Sequence, residues 1–234
     1  MLTVERFTVE RFTVAGRYQQ QEKIADGGSG TVFRARDLKT GEVLALKCFH
    51  VHRAFDTALL PALREAQELA ARLGPKVLVA LLDVGNDSDG TPYLTMPLLR
   101  GETLRERMTR PYPVAERGQI LAALEEAIAA LQEAGFTHGD VSPENIFVLA
   151  EGGVVLLDLE SLGRIGTPRP SRHTEGMPAL PSGVRDREDD VRALTQLRQK
   201  LKPVFAARDS IVWSSSLVVV GLVASGILWW LLGR

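Results

Sequence analysis

Short apolar runs alternate with turn-forming residues along the first hundred positions of the chain. The runs have the length of strands, and they lie within residues 18–49, 78–84 and 93–99. Glycine-rich or polar turns separate them, at residues 27–30, 39–41 and 86–90. The pattern predicts five short strands.

Three other segments have the spacing of helices, and they cover residues 61–73, 115–134 and 186–207. Pro61 lies in the first turn of the first helix, and Gly135 closes the second. Residues 146–149 and 154–157 flank two glycines, which predicts a hairpin. The Pro-, Gly- and Ser-rich residues 163–183 predict an exposed loop. The fold class expected is therefore α+β.

An uncharged apolar run covers residues 211–233, and as a helix it is long enough to cross a hydrocarbon core of roughly 30 Å. Tryptophans at both of its ends match the aromatic belts of membrane helices. Four basic residues shortly precede the run and only Arg234 follows it, so we expect the preceding domain on the cytoplasmic side. Gly221 and Ser225 form a small-xxx-small pair, which predicts a homodimer through this helix.

Composition excludes several classes of function. The chain has 28 Lys and Arg against 29 Asp and Glu, a balance that argues against a nucleic-acid partner. Because Cys48 is the single cysteine of the sequence, it cannot form an internal disulfide, and a metal site built on several thiolates is excluded. A five-residue repeat fills residues 1–17, and we interpret it either as a strand-like or disordered leader or as translation from a start codon upstream of the true one.

Two elements of the first half could bind a phosphorylated nucleotide. Gly27, Gly28 and Gly30 lie in one turn, where backbone N–H groups can approach phosphates. Lys47 follows on an apolar strand, and Glu65 on the next helix is its expected ion-pair partner, with Glu68 as the second choice. Each feature alone is common, because such a turn can be only a turn and such a lysine only an edge residue.

Two elements of the second half could supply catalysis and metal ligands. In the segment 137–145, Asp140 could accept the proton of an acceptor hydroxyl, and Asn145 could bind metal. Asp158 ends an apolar strand thirteen residues later. One aspartate and one asparagine suit Mg²⁺, which prefers oxygen ligands and keeps phosphate and water in its shell.

In this order, the four elements resemble those of the eukaryotic-type Ser/Thr protein kinase family as found in bacteria, over roughly residues 18–201. The resemblance implies a two-lobed protein-kinase-like fold, with ATP and Mg²⁺ as cofactors and a protein as substrate. The domains would be a leader at 1–17, an N-lobe at 18–99, a shortened helical C-lobe at 100–207 and a transmembrane helix at 211–233.

The resemblance also implies a role for each matching residue. Asp140 would be the catalytic base, Lys47 and Glu65 the phosphate-orienting pair, and Asn145 and Asp158 the magnesium ligands. His138 and Asp190 would brace the catalytic loop. The nucleotide would lie against a set of residues from the glycine-rich turn, the strands and the hinge, namely Gly27, Gly28, Gly30, Val32, Ala45, Lys47, Met96, Pro97 and Leu99.

Several positions depart from the family pattern. Gly139 replaces an arginine that pairs with a phosphorylated activation loop, and Ser142 replaces a lysine that steadies the transferred phosphate. Leu159 and Glu160 stand where Phe-Gly is usual. These changes keep two alternatives open: a nucleotide-binding pseudokinase scaffold, and a small-molecule kinase of the aminoglycoside phosphotransferase type.

Overall fold

The computed structural model describes residues 12–111, 113–168 and 183–201. Among these residues, no helix is both long enough and apolar enough to span a bilayer. The first two repeats of the leader up to residue 11, most of the predicted loop after residue 168 and the apolar run 211–233 lie outside the described residues.

The strands of the described residues are β1 Thr13–Val14, β2 Tyr18–Asp26, β3 Gly30–Asp37, β4 Val43–Phe49, β5 Asp83–Asn86, β6 Pro92–Pro97, β7 Gly101–Thr103, β8 Phe136–Thr137, β9 Ile146–Leu149, β10 Val154–Leu156 and β11 Gly163–Arg164. The helices are α1 Leu59–Leu73, α2 Leu104–Arg107, α3 Val114–Glu133 and α4 Glu188–Lys200. Two 3₁₀ helices, Val51–Phe55 and Leu159–Ser161, complete the elements.

An antiparallel sheet in the order β1-β2-β3-β4-β6-β5 forms the first lobe. β4 lies inside this sheet, and its register sets Lys47 between Val32 of β3 and Leu94 of β6. Gly30 begins β3 where a Cβ atom would lie 2.4 Å from the carbonyl oxygen of Cys48. The close approach of the two strands therefore requires glycine at this end of the glycine-rich turn.

The second lobe packs α3 and α4 against short strands, with sheets in the orders β10-β9-β7 and β11-β8. One continuous apolar core joins the two lobes. Leu156 of β10 lies in that core, and its backbone carbonyl accepts a hydrogen bond from the Val79 N–H at 2.9 Å. The strand that leads to Asp158 is thereby attached to the first lobe as well as to the second.

The structure confirms most predicted elements within a few residues. The helix predicted at 61–73 is α1, the helix at 115–134 is α3, the hairpin is β9 and β10, and the third repeat of the leader contributes β1. The strand predicted at 78–84 is wrong before residue 83, because Leu78, Val79 and Leu81 bury their side chains in the core outside the sheet. The exposed loop predicted at 163–183 is wrong at Gly163, which is buried and pairs with Thr137.

Candidate active site

Lys47 lies in the cleft between the two lobes. Its Nζ atom is 3.0 Å from Asp158 Oδ1 and 2.5 Å from Glu160 Oε1. Burial lowers the pKa of the Lys47 ammonium, but the two carboxylates outweigh burial and raise the pKa above its ordinary value. The lysine is therefore charged and fixed at the floor of the cleft.

Asp158 follows β10 with a φ of 55°, in the left-handed region that residues other than glycine rarely adopt. Such a conformation costs of order 1–3 kcal/mol, and residues that hold it cluster at functional sites. Burial raises the pKa of the Asp158 carboxyl, but the charge of Lys47 outweighs that effect and lowers the pKa below its ordinary value. Asp158 is thus held as an anion that points into the cleft.

The segment between β8 and β9, residues 138–145, contains the predicted base. Asn145 Nδ2 donates to Asp140 Oδ2 at 2.9 Å and to the Asp140 carbonyl oxygen at 3.1 Å. The Ser142 N–H donates to the Asp140 carbonyl at 3.0 Å, so the segment closes into a turn. Asp140 and Asn145 are consequently adjacent and fixed relative to each other.

Asp190 at the start of α4 supports this segment from below. Its two carboxylate oxygens accept the backbone N–H groups of His138 at 2.7 Å and Gly139 at 2.9 Å. His138 is fully buried, and its Nε2 lies 2.8 Å from the Leu157 carbonyl oxygen, next to Asp158. His138 and Asp190 therefore connect the segment of the predicted base to the strand that carries Asp158.

The donor set fits a magnesium ion that keeps phosphate and water ligands. The Leu157 N–H donates to the Asn145 carbonyl at 2.7 Å, which brings Asp158 and Asn145 into the same part of the cleft. Asn145 uses its amide nitrogen toward Asp140, and its side-chain oxygen is of the kind that Mg²⁺ prefers. Among the described residues no three His, Cys, Asp or Glu side chains form a metal cluster. With Asn145 and Asp158 as its protein ligands, a magnesium ion would take its remaining ligands from phosphate and water.

The residues predicted to contact a nucleotide lie on β3, β4 and β6 and in the segments that follow β2 and β6. Val32 is paired with Lys47, and Ala45 is paired with Met96. Met96 and Leu99 both pack against the main core. Pro97 ends β6 just before the connection to the second lobe, and Gly27, Gly28 and Gly30 lie in the turn between β2 and β3. The structure thus places Val32, Ala45, Lys47 and Met96 side by side on three neighbouring strands, with the glycine-rich turn before β3 and Leu99 just after β6.

The ion pair predicted between Lys47 and Glu65 is not formed in the structure. Glu65 Oε1 instead accepts a hydrogen bond from Arg164 Nε at 2.7 Å, and the Arg164 guanidinium lies 4.9 Å from the centre of the Phe136 ring. Lys47 is already paired with two carboxylates that lie beside it in the cleft. The position of α1 therefore directs Glu65 toward β11 and away from Lys47.

Sequence reasoning missed two arginines near the site. Arg53 is buried in the 3₁₀ helix Val51–Phe55, and its guanidinium NH2 lies 3.1 Å from Glu160 Oε2. Arg185 donates to the Ser161 carbonyl, and its guanidinium lies 2.9 Å from where a Cβ atom on Gly139 would be. The second arginine places a cation beside the position where the family arginine is replaced by glycine. That replacement was the only sequence signal that could have suggested such a compensating cation.

Residues 18–176 match the model of the protein kinase domain family. The chain belongs to that family. The serine/threonine-protein kinase PknL of Mycobacterium tuberculosis is 37% identical over 155 residues, which are 65% of this chain and 39% of PknL. The serine/threonine-protein kinase pkn3 of Myxococcus xanthus is 31% identical over 139 residues, which are 58% of this chain and 25% of pkn3.

The chain is also similar in fold to solved structures of protein kinase domains. The kinase domain of Mycobacterium tuberculosis PknI superposes on 82% of this chain and 74% of that domain, with a TM-score of 0.65 and 23% identity. This likeness confirms the two-lobed fold expected from the sequence. The chain spans about two fifths of the length of PknL, the first of these two curated relatives.

Proposed function

We propose that this protein kinase family member transfers the γ-phosphate of ATP to serine or threonine of a protein. One observation carries the proposal. Lys47 lies 3.0 Å from Asp158, Asn145 lies 2.9 Å from Asp140, and a 2.7 Å hydrogen bond from the Leu157 N–H to the Asn145 carbonyl joins these two pairs in the cleft between the lobes. A pinned triphosphate and an aligned hydroxyl are the main requirements of phosphoryl transfer.

Each residue would have a defined task in that reaction. Asp140 would accept the proton of the attacking hydroxyl, and its hydrogen bond from Asn145 holds it in position. Lys47 would bind the α- and β-phosphates below the glycine-rich turn. Asn145 and Asp158 would hold Mg²⁺, which when bound neutralises charge on the phosphates.

The decisive experiment compares the full chain with its Asp140→Asn variant, using radiolabelled ATP, Mg²⁺ and generic protein acceptors. The variant should lose about 100-fold or more of the transfer rate, because general-base catalysis typically contributes 10²–10⁴-fold. Asp89→Asn is the matched control, since Asp89 lies in the exposed turn between β5 and β6.

Other outcomes would select another function. If the chain binds Mg·ATP, as measured by a rise in melting temperature, but labels neither itself nor an acceptor, it is a pseudokinase scaffold. If ADP is released only in the presence of a small metabolite, the chain is a small-molecule kinase. Equal transfer by the wild type and the Asp140→Asn variant would remove Asp140 from the mechanism.

We further propose that the chain is anchored in a membrane by residues 211–233, with the kinase domain on the cytoplasmic side and a shortened C-lobe before the anchor. The proposal is supported by the uncharged sequence of that run and the basic residues that precede it. Extraction of membranes with alkaline carbonate should leave the wild type in the pellet and release a Val220→Arg variant.

A homodimer through Gly221 and Ser225 would give a crosslinked pair in detergent that a Gly221→Ile variant lacks.

A further inference from the structure

The Glu160 carboxylate contacts three polar or charged side chains of the cleft, Ser29, Lys47 and Arg53. Its Oε1 accepts hydrogen bonds from Ser29 Oγ at 2.7 Å and from Lys47 Nζ at 2.5 Å. Its Oε2 accepts one from the Arg53 guanidinium at 3.1 Å. The side chain is only 12% exposed, so these contacts form in a largely desolvated site. Here charge-assisted hydrogen bonds are stronger than at a surface.

The backbone around Glu160 fixes the position of its carboxylate. Leu159, the preceding residue, is buried in the main core, and the 3₁₀ helix Leu159–Ser161 packs against α1. Arg53 is itself 3% exposed and lies in a second 3₁₀ helix directly after β4. Glu160 is therefore held from both sides, by its own buried neighbour and by a buried cation.

Phe49 joins the two cations that converge on Glu160. The Lys47 ammonium lies 5.2 Å from the centre of the Phe49 ring, and the Arg53 guanidinium carbon lies 6.0 Å from it. An aromatic face attracts a cation at this distance, which favours the observed orientation of both side chains. The arrangement forms a Lys47–Glu160–Arg53 network around one ring.

We propose that Glu160 is the positioning residue of Lys47, in the role that sequence reasoning assigned to Glu65. The proposal rests on the function proposed above, because Lys47 is positioned for phosphate binding. Asp158 is the proposed metal ligand, which leaves Glu160 as the carboxylate dedicated to Lys47. Glu65 contacts Arg164 instead, and that pair is largely exposed, at 38% and 63% of the two side chains. Exposed pairs of this kind contribute little to stability.

The test measures Lys47 directly and does not require phosphate transfer. The full chain and its Glu160→Gln and Glu65→Gln variants are treated briefly with an acetylating reagent, and mass spectrometry quantifies acetylation of Lys47. Glu160→Gln should increase the rate at least fivefold, because the ammonium loses the contact that holds it in the cleft. Glu65→Gln should change the rate less than twofold. Exposed Lys23 gives the reference rate in every sample.

A second measurement separates positioning from a merely structural effect. Each protein is titrated with a fluorescent ATP analogue in the presence of Mg²⁺. Compared with the wild type, the Glu160→Gln variant should bind the analogue at least fivefold more weakly, and the Glu65→Gln variant should bind it nearly as well. Tighter binding to Glu160→Gln would overturn the proposal, because it would mean that the carboxylate competes with the phosphates. An increase in Lys47 acetylation in Glu65→Gln would also overturn it, even if Glu160→Gln failed to fold.

These outcomes are distinguishable from failure of the proposed function. If the wild-type chain transfers no phosphate, the proposed kinase function is rejected. Lys47 acetylation would still report which carboxylate holds the lysine. Melting curves of all three proteins, recorded without nucleotide, show whether each variant is folded. Equal acetylation of Lys47 in a folded Glu160→Gln variant and the wild type would reject the positioning role.

Discussion

Replacing Asp190 with alanine should lower the free energy of unfolding by about 2 to 4 kcal/mol and reduce phosphate transfer by about 100-fold or more. The carboxylate is almost fully buried and accepts two backbone N–H groups, those of His138 and Gly139. Alanine would leave both donors without that acceptor. The segment that holds Asp140 would then lose its support, and a displacement of about 1 Å at a reacting group can cost 100-fold in rate.

Urea unfolding and the transfer assay measure the two effects of this change. Glu188→Ala is the control, because Glu188 lies in the same first turn of α4 but is 70% exposed and pairs with the exposed Arg192. That variant should unfold and transfer phosphate like the wild type. If Asp190→Ala and Glu188→Ala behaved alike, Asp190 would not be the support of the segment.

Residues at strand ends and in turns were the part of the site that the sequence could predict. Asp158 follows an apolar strand, and Asp140 and Asn145 lie in one short segment after a helix, so local pattern and spacing specify their neighbourhoods. Lys47 was likewise predicted as one lysine on an apolar strand, and it lies in β4. The structure accordingly brings these four residues into one cleft.

The partner of Lys47 could not be predicted in the same way. Its identity depends on how α1 packs against the 3₁₀ helix Leu159–Ser161, which is a contact between distant parts of the chain. Residue types also misled the interpretation, because Glu65 matches the family pattern and Glu160 departs from it. Arg53 belongs to no sequence motif, and only its burial beside Glu160 in the structure indicates a role at the site.

The wrong strand prediction at residues 78–82 has a related cause. Apolar residues with high strand preference do not reveal whether they will bury against a sheet neighbour or against a helix. Leu78 forms an isolated parallel bridge with Leu156, and Val79 and Leu81 fill the core between the lobes. The sequence therefore showed the apolar contact between residues 78–82 and β10, which joins the two lobes, only as an extra strand.

Replacing Leu156 with alanine should weaken this apolar contact between the lobes. The change should lower the free energy of unfolding by about 2 to 5 kcal/mol, the usual cost of a leucine-sized cavity. Leu156 is fully buried in the shared core and lies two residues before Asp158, so the cavity should also weaken binding of Mg·ATP. Leu38→Ala removes the same atoms from a side chain that is 52% exposed and should change stability by less than about 0.5 kcal/mol. Urea unfolding of both variants, followed by a melting-temperature titration with Mg·ATP, measures these effects. Equal stability of the two variants would mean that the core around β10 does not bind the two lobes together as the structure indicates.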